Sequence, residues 1–330
     1  KSCELDFNNP PPVAQMIVSV NGVPLGTQGN LLCITGGEGT GKSNYVAALI
    51  AGAVKPENAE GIDTLGISIE GNPKGKAVLF YDTEQSEVQL YKNVSTLLRR
   101  CGRDTMPEWF KAYCLTGMSR KERLKSIVLS MDRFHYQYGG IHLVVIDGIA
   151  DLIRCANDEA ESIAVVEELY RLAGIYNTCI VTVLHFIPNG LKLRGHLGSE
   201  LQRKAAAILS IEKDSNPAVS VVKALKVRDG SPLDVPLMQF AWDKGKAMHA
   251  YLGEKPKEEK DRRKEEELVA VARELFSRKR FIGYMELSEE LQAAFDVKER
   301  TAKSYIRFMR EKEIIVKSPD TPNSYMLGEV

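Results

Sequence analysis

The sequence predicts an α/β protein built on a parallel sheet with helices on both faces, followed by a small unit of three helices and a β-hairpin. Three observations predict it. Apolar runs of strand length alternate with stretches of helix length between about residues 13 and 206, the pattern of a parallel sheet covered on both sides. A glycine-rich turn, Gly36-Gly37-Glu38-Gly39-Thr40-Gly41-Lys42-Ser43, stands between one such strand and one such helix. The pattern then changes twice. Strands joined by short turns follow residue 207, and amphipathic periodicity returns beyond a mixed charge run at 254–267.

Taken in order, residues 1–12, with Pro10-Pro11-Pro12, read as an irregular arm. Met16 to Val20 is a strand closed by the Asn21-Gly22 turn, and Leu31 to Ile34 is a buried strand leading into the glycine-rich turn. Ser43 to Ala51 is a helix stopping at Gly52. Thr64 to Glu70 and Lys76 to Asp82 are two strands joined through Gly71-Asn72-Pro73-Lys74-Gly75. A helix over Ser86 to Arg100, a strand over Phe110 to Leu115 and a helix over Arg120 to Tyr138 follow. Ile141 to Ile146 is the most apolar strand and ends in Asp147; Glu159 to Tyr176 is helical, and Cys179 to Leu184 is another buried strand. Ala207 to Glu212, Val219 to Val227 and Leu237 to Trp242 extend the sheet in antiparallel fashion. These boundaries give a main domain over 13–253, a charged linker or helix start over 254–267 and a C-terminal domain over 268–330.

Bulk properties exclude several classes. Lysines plus arginines equal aspartates plus glutamates, 44 of each, so no global field draws the chain to nucleic acid or membrane, and any such attraction is local. No apolar run reaches the roughly 18 residues a membrane span needs. The six cysteines form no C-x-x-C pair or metal spacing, and three lie inside apolar runs. They are expected to be reduced core residues of a cytoplasmic protein.

The turn fits the phosphate-cradling pattern G-x-x-x-x-G-K-[ST]. Its backbone N–H groups and the following helix N-terminus favour phosphate. Lys42 is placed to reach the β- and γ-phosphates of ATP, and the Ser43 hydroxyl to ligate Mg²⁺. Asp147, ending the apolar strand, is the expected second Mg²⁺ contact. Hydrolysis also needs a carboxylate to orient the attacking water. The residue after Asp147 is Gly148, so no adjacent acid can serve; Glu84, just past the end of its own strand, is the candidate base. A carboxylate favouring the start of a helix is the other reading of Glu84.

Together the glycine-rich loop, Tyr81-Asp82-Thr83-Glu84-Gln85, the Val144-Val145-Ile146-Asp147 strand and Val183-Leu184-His185 resemble the RecA-type motor fold. Within it they are most similar to hexameric helicases of the DnaB and plasmid RepA kind, over residues 13–250. The resemblance implies a RecA-like core, the base role for Glu84, and a γ-phosphate sensor role for His185, otherwise an ordinary strand-end polar residue. It implies that Lys226 and Arg228 of Lys226-Val227-Arg228-Asp229-Gly230 reach the active site of the neighbouring subunit in a ring. As alternate strand residues they share a face, and an exposed basic strand end is the other reading. It also implies that the segment 186–198, with Lys192, Arg194 and His196 among glycines, grips single-stranded DNA. Flexible backbone plus cations suits phosphate tracking, as well as an ordinary surface loop.

The C-terminal domain reads as a winged helix: helices over Glu265 to Arg280, Tyr284 to Ala294 and Val297 to Lys312, then a hairpin. On its third helix Arg300, Lys303, Arg307 and Arg310 fall within about 80° of one another at 100° per residue, with no acid between them. Ala302, Tyr305, Ile306 and Met309 take the opposite face and belong in the core. The cations favour duplex DNA contact. Residues 251–330 nevertheless carry 17 basic and 17 acidic side chains, and winged helices also serve as protein-contact modules. The expected protein is therefore an ATP- and Mg²⁺-dependent DNA motor, a hexameric helicase replicating or mobilising a plasmid or mobile element. The alternative is an ATP-dependent DNA-binding switch that loads or regulates another enzyme.

Overall fold

The computed structural model describes residues 6–59, 61–185, 195–255, 257–318, 321 and 323–328. The larger unit contains β1 (Met16–Val20), β2 (Val23–Thr27), β3 (Leu31–Gly36), α1 (Lys42–Val54), β4 (Ser68–Ile69), β5 (Ala77–Asp82), α2 (Glu87–Arg100) and β6 (Phe110–Cys114). It continues through α3 (Arg120–Gln137), β7 (Ile141–Asp147), α4 (Glu159–Tyr176), β8 (Cys179–His185), α5 (Gly195–Lys204), β9 (Ala207–Lys213), β10 (Val219–Val227), β11 (Met238–Asp243) and β12 (Met248–Glu254).

Nine strands form one sheet in the order β12-β11-β10-β9-β3-β8-β7-β5-β6. The six from β9 to β6 are parallel, and β10 to β12 add an antiparallel edge. Every residue of β3, β5 and β7 is buried, as parallel strands covered on both faces must be. Side-chain alternation assigns the two cores. Leu32 and Ile34 join Val46 and Leu49 of α1 on one face, while Leu31 and Cys33 join the α3–α5 side. The thiols of Cys33 and Cys179 are fully buried, and burial pushes both up to about 12.

Four local differences from the sequence expectation have physical causes. Helix α1 runs through Gly52 because that glycine packs: a Cβ there would lie 2.6 Å from Ile69. The strand expected over 64–70 shrinks to β4, since Leu65 and Gly66 take φ of 60° and 92°. Strand β4 also leaves the main sheet to pair with β1 beside the β1–β2 hairpin. Strand β9 runs parallel to β3, so the antiparallel extension begins only at β10. Finally, residues 195–198 open helix α5 instead of belonging to a loop.

The C-terminal unit comprises α6 (Lys257–Arg278), β13 (Ile282–Gly283), α7 (Tyr284–Phe295), α8 (Glu299–Glu311), β14 (Ile315–Lys317) and β15 (Ser324–Leu327), with a sheet in the order β13-β15-β14. Most of the charge run therefore lies in the first half of α6. Ala302, Tyr305, Ile306 and Met309 of α8 are buried. The unit is joined to the larger one by more than chain connectivity. Leu233, between β10 and β11, inserts into its apolar cluster, the Ser231 and Tyr305 hydroxyls are hydrogen-bonded and buried, and Lys223 pairs with Glu267 at 4.0 Å. Among the described residues no helix is long and apolar enough to cross a membrane.

Candidate active site

The carboxyl ends of β3, β8, β7 and β5 lie side by side, bringing Gly36, His185, Asp147 and Asp82 to one edge of the sheet. In open α/β sheets that edge is where ligands bind. A cleft of about 330 Å³ opens there, lined among others by Lys42, Ser43, Glu84, Asp147, His185 and His249.

The glycine-rich loop forms one wall. Gly36 has no room for a side chain, because a Cβ would lie 2.3 Å from the Ile211 carbonyl oxygen. Gly41 sits at φ 96°, and a Cβ there would meet the Phe240 ring at 2.9 Å. Between them Gly37, Glu38 and Gly39 carry the loop outward, and the Thr40 hydroxyl donates to the Gly37 carbonyl at 2.9 Å. No side chain caps the first turn of α1, so its leading N–H groups are available to an anion at the cleft. The Lys42 ammonium donates to the carbonyls of Gly36 (3.0 Å) and Gly37 (2.6 Å). Burial holds its pKa below the ordinary lysine value, opposed by Glu84, Asp147 and Glu38.

Carboxylates form the other wall. Burial, helped by the nearby Asp82 and Glu84 and opposed by His185 and Lys42, pushes the Asp147 carboxyl up to about 7. Asp82 is fully buried; its Oδ1 accepts the backbone N–H groups of Glu84 (3.0 Å) and Gln85 (2.8 Å), and its Oδ2 has no partner. Burial also raises the Asp82 carboxyl. The Thr83 hydroxyl donates to the carbonyls of Asp147 (3.0 Å) and Gly148 (2.9 Å), which ties the 82–85 turn to the end of β7. Glu84 then reaches His185, with Oε2 3.1 Å from Nε2, and that hydrogen bond holds its carboxyl below the usual glutamate range. Gly148 makes this possible. It has φ 95°, and a Cβ would lie 2.2 Å from Thr83 Oγ1 and 2.8 Å from Glu84 Cγ. The position after Asp147 is therefore closed to an acid because Glu84 occupies the space.

The donors fit Mg²⁺ held together with phosphate oxygens and water. A hydroxyl at Ser43 and a buried carboxylate at Asp147 supply hard oxygen ligands, and a cation beside Asp147 offsets the burial that disfavours its ionised form. No cluster of three or more His, Cys, Asp or Glu side chains suited to a metal occurs among the described residues. Mg²⁺ in phosphate sites needs no such cluster.

Other expected residues lie elsewhere. Lys226 and Arg228 are at the opposite edge of the sheet. The Arg228 N–H donates to the Ala206 carbonyl, and the Ala206 N–H to that of Leu31, at the start of β3. The six residues of β3 put that point about 17 Å from Gly36. Both basic side chains cap α5: Lys226 Nζ donates to the Gln202 carbonyl (2.5 Å), and Arg228 to those of Arg203 (3.1 Å) and Lys204 (3.2 Å), as cations at a helix C-terminus do. His196 is exposed on the first turn of α5; Lys192 and Arg194 lie outside the described residues. Arg300, Lys303, Arg307 and Arg310 are all exposed on α8. Acids at the helix ends join them, however: Lys303 pairs with Glu299 (2.7 Å) and Arg307 with Glu311 (2.9 Å).

Sequence reasoning found β11 but missed β12 and the hairpin the two strands form. Its cross-strand pair Trp242 and His249 stands on the cleft edge of the sheet, with ring centroids 5.5 Å apart and Trp242 half exposed. His249 Nδ1 is buried without a partner. Only strand pairing brings His249 to the loop, and no local pattern announces it.

A family model described as AAA domain matches residues 6–189, more than half of the chain and inclusive of the loop, Glu84, Asp147 and His185. No curated protein matches the chain.

Proposed function

The chain belongs to the AAA domain family, and from that premise we propose that it is an ATP-hydrolysing DNA motor, a ring-forming helicase serving a plasmid or mobile element. One observation carries the hydrolytic part. Glu84 is held across the cleft from Lys42 and Ser43 by its bond to His185 and the space that Gly148 leaves.

In this reading the loop N–H groups and Lys42 grip the β- and γ-phosphates of ATP. Ser43 and Asp147 would hold Mg²⁺, which would supply charge neutralisation at the phosphate oxygens. Glu84 orients the attacking water and takes its proton, with carboxylate geometry set by His185. His249, the ring that lines the cleft, offers the nucleobase a stacking partner. Arg228 and Lys226, too far from their own cleft, serve the next subunit. Lys192, Arg194 and His196 track single-stranded DNA. The C-terminal unit acts as a winged helix, with Arg300 and Arg310 of α8 outside its ion pairs and placed for duplex phosphates.

The neutralisation of Lys303 and Arg307 by Glu299 and Glu311 favours a second reading. In it the C-terminal unit contacts protein, and the chain is an ATP-dependent switch that loads or regulates another enzyme. A strand-displacement assay on forked DNA with ATP separates the two. Displacement supports the motor; DNA-stimulated phosphate release without displacement supports the switch.

Two substitutions test the base. Glu84→Gln keeps the side-chain shape and removes the proton acceptor, so ATP binding should persist while hydrolysis falls at least about 100-fold. Gly148→Ala should act in the same direction, because the added methyl drives Thr83 and Glu84 apart and strains a left-handed backbone by about 1–2 kcal/mol. Full turnover in Glu84→Gln, with loss in Asp82→Asn instead, would transfer the role to Asp82.

A further inference from the structure

We propose that Gln85 is a positioning residue that, oriented by Asn93, sets the Ser43 hydroxyl and through it the Mg²⁺ affinity of the nucleotide site; this rests on the assignment of Ser43 as a Mg²⁺ ligand. Gln85 follows Glu84, and the turn closed by Asp82 sends the two side chains apart. Glu84 goes to His185, and Gln85 Nε2 donates to Ser43 Oγ at 3.3 Å.

All four polar groups of Gln85 are committed. Its N–H donates to Asp82 (2.8 Å), its carbonyl accepts from Cys114 Sγ (3.3 Å), its Oε1 accepts from Asn93 Nδ2 (2.7 Å), and its Nε2 takes Ser43. A half-buried glutamine that only covered the surface would not be anchored from α1, α2, β5 and β6 at once.

The amides of Gln85, Asn93 and Gln89 are also aligned in one direction. Gln89 Nε2 donates to Asn93 Oδ1 at 3.2 Å, which turns Asn93 Nδ2 toward Gln85. Asn93 then engages Gln85 Oε1, which turns Gln85 Nε2 toward Ser43. Flipping Gln85 alone would set donor against donor at Asn93, so the three amides can reorient only together. The three amides therefore form one polarised chain that ends by donating to the hydroxyl. A serine oxygen has two lone pairs and one proton. With one lone pair occupied by Gln85, the other remains for the cation, and the side-chain rotamer is held.

Partners that orient a metal ligand typically change metal affinity by about 10- to 100-fold when removed. The test uses the full chain and a fluorescent ATP analogue, with binding measured in EDTA and across a Mg²⁺ titration. Gln85→Leu should raise the half-saturating Mg²⁺ concentration by about tenfold and leave affinity in EDTA unchanged. Asn93→Asp, which keeps the acceptor for Gln89 and removes the donor to Gln85, should shift it the same way by less. In a Ser43→Ala background Gln85→Leu should add nothing.

An unchanged Mg²⁺ titration in Gln85→Leu overturns the proposal, as does an equal loss of affinity with and without Mg²⁺, which would mark a merely structural brace. Ser43→Ala separates the two levels. If it leaves the Mg²⁺ dependence intact, the ligand assignment fails and the proposal with it. If it shifts the dependence and Gln85→Leu does not, only the role of Gln85 is lost.

Discussion

Lys42→Ala is expected to abolish nucleotide turnover in a chain that remains folded. Among the described residues lining the cleft, Lys42 is the only lysine or arginine, and it faces Glu38, Glu84 and Asp147. Without it, a polyphosphate entering the cleft meets carboxylates and no fixed cation. Loss of a charge-assisted phosphate contact costs at least about 2–3 kcal/mol, roughly 30- to 150-fold, before any additional requirement in the transition state. The fold should survive because the loop keeps its other determinants: the closed space at Gly36, the left-handed Gly41 and the Thr40–Gly37 bond. Removing a buried ammonium also relieves its desolvation. Phosphate release, nucleotide binding and a thermal melt on the same preparation check all three statements. Wild-type turnover would refute the phosphate role of this loop.

Features encoded by local pattern were legible in the sequence. The parallel strands are short apolar runs bounded by glycine or acid, and Gly36 to Ser43 carries its chemistry in its spacing. Pairing and side-chain direction were not legible. Gly52 looks like a helix stop in sequence but is a packing glycine against β4, a contact made across the fold. Gly195 and Gly198 disguise the start of α5. His249 enters the site through antiparallel pairing between β11 and β12, and Gln85 through amides on α2 that are four and eight residues further on. Glu84 was reached by elimination, from the absence of an acid after Asp147, and the structure supplies the reason in the space around Gly148. The balanced charges of the C-terminal unit were visible as composition, whereas the pairing of Lys303 and Arg307 needed helix geometry.

Mixing Arg228→Ala protein with Glu84→Gln protein, each inactive alone, is expected to restore part of the ATPase. Arg228 starts about 17 Å from the Gly36 end of β3, on the opposite edge of the sheet, so it cannot complete the cleft of its own subunit. That cleft has no arginine among its described lining residues, and an arginine supplied to a phosphoryl-transfer site contributes on the order of 10³ or more in rate. Head-to-tail subunits that close into a ring bring the far edge of one to the cleft of the next at every interface. Arg228 and Lys226 would have to leave the α5 carbonyls to do so. Their bonds there run to the exposed end of a helix, where net hydrogen-bond contributions are only about 0.5–1.5 kcal/mol each. In a random equal mixture roughly one interface in four joins an intact Glu84 to an intact Arg228, so recovery near a quarter of wild type is the expected ceiling. Phosphate release from the mixture, with mixed assemblies verified by differently tagged subunits, measures it. If mixed assemblies form and no activity returns, Arg228 is a cap on α5 and the site is completed in another way.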